Sequence, residues 1–127
     1  MKAEVISIGT ELLLGEILDT NARYLGARLP AHGIDLYYIS KVGDNLERLA
    51  EVIERAWNRS DLVITTGGLG PTEDDLTREA IGKVLDEELR LDSELADQLR
   101  EFFARRGAAM PERNLKQAML IPSARAI

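Results

Sequence analysis

The residues with the clearest chemical potential lie in one segment of the chain, between a short apolar run and a new amphipathic pattern. The run 62–66 is typical of a parallel strand, and three glycines follow it within four positions, namely Gly67, Gly68 and Gly70. Glycine lets backbone N–H groups approach a ligand without an intervening Cβ, and a helix N-terminus adds unpaired donors and a positive dipole. A strand, a glycine loop and a helix start therefore predict an anion site that suits a phosphate.

The familiar phosphate-binding glycine motifs do not fit this loop. A P-loop has a lysine directly after its second glycine, but this loop contains no lysine, and Thr72, Glu73 and Asp75 stand five residues after its glycines. A dinucleotide fingerprint starting at Gly68 would need glycine or alanine at position 73, and it should follow the first strand rather than the third. Both a Walker-type NTPase and an ordinary Rossmann loop are therefore disfavoured.

Two adjacent carboxylates, Asp74 and Asp75, follow the loop. They would repel a bound phosphate unless a cation lay between them, and Mg²⁺ is commonly held by one or two carboxylates together with phosphate oxygens. The sequence therefore predicts Mg²⁺ as the cofactor, with or without an accompanying monovalent cation, and Asp74 and Asp75 as candidate ligands.

Polar residues also follow the two earlier strand-like runs. Thr10 and Glu11 come after the run 3–8, and Asp44 comes after the run 34–42. Because the carboxyl ends of parallel strands share one edge of a sheet, we expect these residues to lie beside the glycine loop, where ligands bind in such folds. Thr10 and Glu11 become candidate ligand contacts, and Asp44 becomes a candidate catalytic or metal-binding carboxylate.

Each of these residues also has a purely structural interpretation. Glu11 could sit in a solvated turn, and Asp44 with Glu47 could form a near capping box for a helix that starts at Leu46. Asn21 lies in the segment Asp19 to Asn21, which offers N-cap residues for another helix. In the same way, Thr72 or Asp74 could cap the helix that follows the glycine loop.

Strand-like and helix-like segments alternate along the chain with short connections, which indicates parallel βαβ units. The predicted fold is an α/β, three-layer α/β/α sandwich with a mainly parallel sheet. The last predicted helix starts at Asp92-Ser93, places Leu95, Leu99, Phe102 and Phe103 on its buried face, and is followed by a short strand near Leu120. The 127 residues suit one domain.

Composition excludes several classes of function. The chain has no cysteine and a single histidine, His32, so a disulfide framework or a structural zinc site is not expected. The net charge of −6 comes without a basic cluster, which argues against binding to nucleic acid or to an anionic membrane. With no targeting segment and no run of about eighteen apolar residues, we expect a cytoplasmic protein.

Taken together, these segments resemble the molybdopterin-binding fold family, and within it the amino-terminal domain of the CinA proteins. Leu69 and Asp74 resemble the CinA branch, because the molybdenum-cofactor enzymes have threonine and often arginine there. The matching segments, in order, are Gly9-Thr10-Glu11-Leu12-Leu13 with Gly15-Glu16-Ile17, Asp19-Thr20-Asn21, Val42-Gly43-Asp44, Thr66-Gly67-Gly68-Leu69-Gly70-Pro71-Thr72 with Asp74-Asp75-Leu76-Thr77, and Met110-Pro111-Glu112 with Lys116-Gln117-Ala118.

The resemblance implies a domain that binds a pyrophosphate-containing nucleotide or a pterin together with Mg²⁺. It implies hydrolysis of ADP-ribose for the CinA branch and adenylyl transfer to molybdopterin for the molybdenum-cofactor branch; a non-catalytic nucleotide-binding module is a third alternative. Asp44 and Asp75 match the family's functional aspartates and the three glycines match its phosphate loop. The expected site residues are Asp44, Asp74 and Asp75 for chemistry and metal, and Thr10, Glu11, Asn21, Gly67, Gly68, Gly70 and Thr72 for the nucleotide.

The resemblance also bears on what accompanies this domain. Members of the family normally continue into a further glycine loop, a strand and helices, so we expect the domain at 1–127 to be incomplete at its carboxyl end. In CinA proteins a separate carboxyl-terminal amidase domain follows, which makes such a domain an expected companion. We also expect a homo-oligomer, either a dimer or a trimer.

Overall fold

The computed structural model describes residues 1–127. The chain contains five strands and five α-helices, and short 3₁₀ helices lie at Leu29–His32 and Glu112–Ala118. In chain order the elements are β1 (Lys2–Ile8), α1 (Thr10–Leu13), α2 (Thr20–Arg28), β2 (Asp35–Val42), α3 (Leu46–Arg59), β3 (Leu62–Thr66), α4 (Thr77–Leu85), β4 (Arg90–Leu91), α5 (Ser93–Arg105) and β5 (Met119–Leu120). None of these helices has the length and apolar character needed to cross a bilayer.

Three parallel strands form the main sheet in the order β2-β1-β3. The pairing is in register along nearly all of β1, with Ser7 opposite both Lys41 and Thr66, so the carboxyl ends of all three strands reach the same edge. Strand β1 is the most buried because it alone has a partner on each side, whereas β3 is only half-buried along its length. The predicted α/β fold with a mainly parallel sheet is confirmed.

Side chains of β1 alternate between two apolar clusters, as the period of a strand requires. Ala3 and Val5 pack with Ala22 of α2 on one face of the sheet. Ile6 and Ile8 point to the opposite face, where they pack against α3 and α4. Helices therefore cover both faces, which gives the three layers that the sequence predicts.

The carboxyl-terminal third adds a smaller unit beside the parallel sheet. Strands β4 and β5 pair antiparallel, with Arg90 opposite Leu120, so the strand predicted near Leu120 is present as a two-residue element. Asp92 caps α5 through the N–H of Leu95. The apolar face predicted for α5 is only partly buried, because Phe102 remains 46% exposed.

A fully buried carboxylate on β1, Glu4, ties the sheet to the end of α3. Its two oxygens accept hydrogen bonds from Arg59 Nε and Nη2 at 2.8 Å each and from Ser40 Oγ at 2.8 Å. The Arg59 guanidinium also lies over the Tyr38 ring, 3.7 Å from its centroid. Burial would raise the pKa of Glu4, but the hydrogen bonds from Arg59 and Ser40 outweigh it and hold the pKa below its ordinary value.

This ion pair generates a stability prediction. Arg59→Met leaves the buried Glu4 carboxylate without its countercharge, and we expect it to lower the free energy of unfolding by about 3 kcal/mol, the lower end for breaking a buried pair. The lower end applies because the Arg59 side chain is 35% exposed. Urea denaturation measures the change, and Arg55→Met is the matched control because Arg55 pairs with Glu51 only on the surface. Equal stability of the two variants would contradict the prediction.

The same pair has a defined pH dependence. Since the folded pKa of Glu4 lies below its unfolded value, its contribution to stability is present above the unfolded pKa and is lost as pH falls through the folded pKa. Wild type should therefore lose stability on acidification below the ordinary glutamate pKa of 4.5, and Arg59→Met should lose less over that range. Parallel acid-side slopes of the two stability curves would show that Glu4 does not carry this effect.

Candidate functional site

The carboxyl edge of the sheet collects the polar segments that follow the three parallel strands. Thr10 begins α1 directly after β1, Asp44 follows β2, and the loop 67–76 connects β3 to α4. Because β1 lies between β2 and β3, the segment after β1 adjoins both other strand ends. The expected convergence of these segments is therefore present in the fold.

Thr10 and Asp44 bind one another directly across this edge. Asp44 Oδ2 accepts hydrogen bonds from the Thr10 N–H at 3.3 Å and from Thr10 Oγ1 at 3.1 Å, and the Asp44 N–H donates to Thr10 Oγ1 at 3.2 Å. Gly43 makes room for this contact, since a Cβ there would lie 3.2 Å from the threonine hydroxyl. All of the bonds to the carboxylate go to Oδ2, so Oδ1 is left for a ligand.

The capping interpretation of Asp44 is wrong. Asn45 is the N-cap of α3, and its side-chain oxygen accepts from the Arg48 N–H at 3.0 Å. Glu47 instead forms a surface ion pair with Lys83 of α4. The predicted capping box therefore does not exist, and Asp44 is free of any helix-capping role.

The glycine loop follows a path that side chains would block at two positions. Gly67 has φ of 90° and packs against the carbonyl oxygen of Ile8, and Gly68 has φ of 65° and packs against the Thr77 hydroxyl. A Cβ at either position would collide with those oxygens. These two glycines thus allow β3 to turn closely over the end of β1 and into the first turn of α4.

Three successive carbonyl groups of the loop are held by the first two residues of α4. Thr77 Oγ1 donates to the Gly67 carbonyl at 2.8 Å, the Thr77 N–H donates to the Gly68 carbonyl at 3.2 Å, and Arg78 Nη1 donates to the Leu69 carbonyl at 2.9 Å. In a planar trans peptide the N–H points opposite to the carbonyl of the same unit. The N–H groups of the next residues along the loop therefore point away from α4.

These N–H groups are available for an anion. Neither the Gly68 nor the Leu69 N–H donates to a backbone carbonyl. The next amide, that of Gly70, interacts with the Asp75 carboxylate and helps to lower its pKa. Two neighbouring free amides beside a turn with positive φ form the kind of concave donor site that binds phosphate oxygens.

Asp75 is held by its neighbour Thr72 in the same way that Asp44 is held by Thr10. Its Oδ2 accepts from Thr72 Oγ1 at 2.7 Å and from the Thr72 N–H at 2.9 Å. These bonds, the Thr72 hydroxyl first, lower the pKa of Asp75 although burial opposes them, and the nearby Lys116 ammonium lowers it further. The carboxylate is therefore firmly ionised, with Oδ1 free of hydrogen bonds.

The caps suggested for α4 are wrong. Leu76 occupies the N-cap position, and no side chain caps the helix. The Thr72 side chain is directed at Asp75 instead, and Asp74 is exposed. Both residues therefore belong to the loop rather than to the helix end.

Three expected site residues have no direct link to the two threonine–aspartate pairs. The Glu11 carboxylate packs against the backbone of Gly9, where a Cβ would lie 2.6 Å from its Oε1. Asn21 is exposed in the first turn of α2, whose N-cap is Asp19, and Asp74 is exposed on the loop. Asp44, Asp74 and Asp75 do not form a metal-ligating cluster on their own, because no group of three or more such side chains lies together.

Sequence reasoning did not anticipate two cations at the loop. Lys116, from the 3₁₀ helix Glu112–Ala118, donates to the Thr72 carbonyl at 2.8 Å and pairs with Glu79 at 3.1 Å. Arg78 binds the Leu69 carbonyl, as described above. The only sequence feature that pointed to Lys116 was its place in a segment that matches the family, 110–118. No sequence feature pointed to Arg78.

The chain is similar to known proteins over nearly its whole length. A family model described as "Probable molybdopterin binding domain" matches residues 4–125. A CinA-like protein from Thermomicrobium roseum is 54% identical over 97% of this chain, which spans only 30% of the length of that relative. The crystal structure of a CinA protein of unknown function from Thermoplasma acidophilum superposes with a TM-score of 0.91 at 34% identity, covering 98% of this chain and 73% of the other.

A more distant likeness connects the fold to molybdenum-cofactor proteins. A MogA structure matches with a TM-score of 0.63 at 26% identity over 80% of this chain and 65% of the other. The overall fold is thus shared with these proteins. The chain belongs to the molybdopterin-binding domain family. Within that family it is CinA-like.

The close approach of Gly67 to β1 generates a second prediction. Gly67→Ala adds a methyl group that meets the Ile8 carbonyl oxygen at a positive φ, so we expect a loss of more than about 2 kcal/mol in the free energy of unfolding. Gly26→Ala is the matched control, because its Cβ would lie an ordinary 3.5 Å from Leu36 and alanine favours the helix. A Gly67→Ala protein as stable as wild type would mean that the loop does not pass over Ile8 as described.

The hydrogen bonds to Asp75 generate a third prediction. Thr72→Val removes the hydroxyl that contributes most to lowering the pKa of Asp75, so the pKa should rise toward its ordinary value. Lys116→Met should raise it less, since the lysine acts only through its charge. A ¹³C-detected carboxyl titration by NMR measures both shifts, with Thr20→Val on α2 as the control. An unchanged Asp75 titration in Thr72→Val would contradict the assignment.

Proposed function

We propose that this domain hydrolyses the pyrophosphate bond of a nucleotide such as ADP-ribose in a Mg²⁺-dependent reaction. The single observation that carries the proposal is the pair of free N–H groups of Gly68 and Leu69, which precede in the loop the Gly70 amide that interacts with the Asp75 carboxylate. The amides suit an anion and the carboxylate suits a cation. A metal-bound phosphate ester satisfies both at once.

The carboxylates fit a hydrated Mg²⁺ better than a metal enclosed by protein alone. Asp44 and Asp75 each use one oxygen to accept from a threonine and keep the other free. Since no group of three or more metal-ligating side chains lies together, the remaining ligands would be phosphate oxygens and water, as is usual for Mg²⁺ at phosphate sites. When bound there, Mg²⁺ supplies charge neutralisation for the phosphoryl group.

The backbone amides and the two carboxylates have different proposed roles in the reaction. The Gly68 and Leu69 amides bind and orient phosphate oxygens, and they stabilise charge that develops as the bond breaks. Asp75, which lies in the same loop as these amides and is held by Thr72, is the candidate metal ligand. Asp44 is the candidate base, accepting a proton from the water that attacks phosphorus as the P–O–P bond breaks to release AMP and ribose 5-phosphate.

A second candidate function is adenylyl transfer to molybdopterin. The description of the matching family and the fold likeness to MogA favour it, and the same free amides would serve a nucleotide phosphate in that reaction. A calorimetric titration with molybdopterin separates the two candidates, because hydrolysis of ADP-ribose requires no pterin. ADP-ribose binding that needs no metal and gives no turnover would instead support a non-catalytic nucleotide-binding module.

Three properties beyond the site stay predictions, namely a further domain, the oligomeric state and the location in the cell. The chain spans about 30% of the length of the CinA-like relatives, so an amidase domain in the whole protein is a proposal for that protein. A homo-oligomer and a cytoplasmic location are likewise proposed from the resemblance. Light scattering of the purified protein measures its oligomeric state directly.

The proposed hydrolysis generates a fourth prediction. Asp75→Asn keeps the size of the side chain but removes its charge, and we expect release of AMP from ADP-ribose to fall by about 10²-fold or more. Asp44→Asn should cause a comparable loss. Chromatographic detection of AMP measures the rate, with and without Mg²⁺, in the protein with its natural carboxyl-terminal sequence.

Controls separate loss of chemistry from loss of structure. Asp97→Asn is the matched control, because Asp97 lies on α5 and pairs only with Arg100 at the surface. Circular dichroism and urea denaturation should show that each variant folds. A wild-type protein that turns over neither ADP-ribose nor any other nucleotide pyrophosphate in the presence of Mg²⁺ would refute the proposed activity.

A further inference from the structure

Helix α5 carries an apolar face that the rest of the chain leaves largely uncovered. Of its 13 residues only Ala96 is buried, and its main packing partner is the short 3₁₀ helix Glu112–Ala118. Phe102 near its carboxyl end remains 46% exposed. An amphipathic helix normally packs its apolar stripe against another element, so α5 has room for one more partner.

The exposed residues of α5 form a single stripe. Leu95, Gln98, Phe102 and Arg105 follow one another at steps of three and four, which places them on one face of the helix. A groove of about 520 Å³ opens along this stripe, between α5 and the 3₁₀ helix, and four of its seven lining residues are apolar. A groove of this size lies within the range of ligand sites and can admit an aromatic side chain.

The polar wall of the groove does not call for a polar ligand. Asn114 and Gln117 of the 3₁₀ helix line that wall, and Asn114 Nδ2 donates to Gln117 Oε1 at 2.9 Å. These two amides therefore satisfy one another, at least in part. The apolar side chains of α5 on the opposite wall then favour an apolar occupant.

The Phe102 ring is exposed but held in place. Its centroid lies 5.8 Å from that of Phe103 in an edge-to-face contact, and the Arg106 guanidinium lies 4.0 Å from the Phe102 centroid. Aromatic side chains and arginine are enriched where proteins contact one another. A fixed ring beside an open groove therefore resembles half of a protein interface.

The charges of α5 indicate which partner fits. Asp92 and Glu94 lie at the start of the helix, and Arg105 and Arg106 lie at its end. A second α5 that packed antiparallel would bring each acidic start beside a basic end, whereas a parallel one would bring like charges together. Arg105 contacts Glu101 of its own helix only at 3.5 Å and at the surface, so it can pair with a Glu94 across the contact.

We propose that α5 is the contact surface of a two-fold dimer, in which α5 of a second copy of this chain packs antiparallel on the stripe. The Phe102 ring of each copy enters the groove of the other. A two-fold axis uses the same patch on both copies, so a surface with both a protruding ring and a groove can complement itself. Leu95 then lies opposite the second copy's Phe102, and the two Gln98 side chains lie near the axis. No residue of this surface belongs to the candidate site, so the inference is independent of the proposed hydrolysis.

The first test is a disulfide across the two-fold axis. Residues 1–127 contain no cysteine, so Gln98→Cys introduces a single thiol into this domain. Asp97→Cys is the matched control, because Asp97 is exposed on the same helix but points about 100° away from Gln98. Under mild oxidation of the protein with its natural carboxyl-terminal sequence, mass spectrometry should detect two α5 peptides joined through position 98. The control should give little of the joined peptide, since its thiols lie on the far side of each helix.

The second test measures how variants change the yield of that joined peptide. In the Gln98→Cys background, Phe102→Glu should lower the yield by about 10-fold or more, the effect of removing a central interface residue. Arg100→Glu, a charge reversal on the opposite face of α5, is the matched control. Arg105→Glu alone should lower the yield, and Glu94→Arg together with Arg105→Glu should restore it. Circular dichroism shows whether each variant folds.

The outcomes decide the inference in either direction. Equal yields of joined peptide from Gln98→Cys and Asp97→Cys would overturn it, and so would a Phe102→Glu variant that links as readily as its parent. Sedimentation that shows only monomer, with a thiol at position 98 that reacts slowly with a soluble reagent, would show that another part of the same chain covers the groove, and would overturn it as well. None of these results changes the test of ADP-ribose hydrolysis.

Discussion

The site depends on one constraint, namely that the first two residues of α4 hold three successive carbonyl groups of the glycine loop. Thr77 holds the carbonyls of Gly67 and Gly68, and Arg78 holds that of Leu69. Because peptide units are planar, this arrangement fixes the direction of the following N–H groups before any ligand binds. An anion that bound to these N–H groups would not need to order the loop, which is the usual advantage of a preorganised site.

The Asp44 and Asp75 carboxylates have the same hydrogen-bonding pattern, which suits a cation beside the loop amides. In each, one oxygen accepts both the N–H and the hydroxyl of a threonine, and the other oxygen is free. The supporting contacts come from far along the chain, since Thr10 holds Asp44 across 34 positions and Lys116 reaches Thr72 across 44. The buried β1 strand joins this edge to the rest of the sheet, and the Glu4–Arg59 pair ties the other end of that sheet to the end of α3.

The sequence predicted the layers, the parallel sheet and the edge at which polar residues meet, because strand and helix periods are local properties of the chain. The alternative interpretation of Asp44 as a helix cap was wrong, because Asn45 is an equally good N-cap and local spacing cannot choose between neighbouring residues. It could not foresee Lys116 at Thr72 or Arg78 at Leu69, because such contacts depend on how distant segments pack. The proposal of chemistry at Asp44 and Asp75 rests on the resemblance and on the geometry together, because neither sequence segment alone indicates it.

The most direct test of the central claim is the response of individual backbone amides to a minimal anion. Pyrophosphate with Mg²⁺ is titrated into ¹⁵N-labelled protein, and amide chemical shifts are recorded at each step. The largest saturable shifts are expected at the Gly68 and Leu69 amides, with the Asp44 and Asp75 amides following at the same dissociation constant. Saturable shifts confined to other parts of the surface, with Gly68 and Leu69 unchanged, would contradict the account.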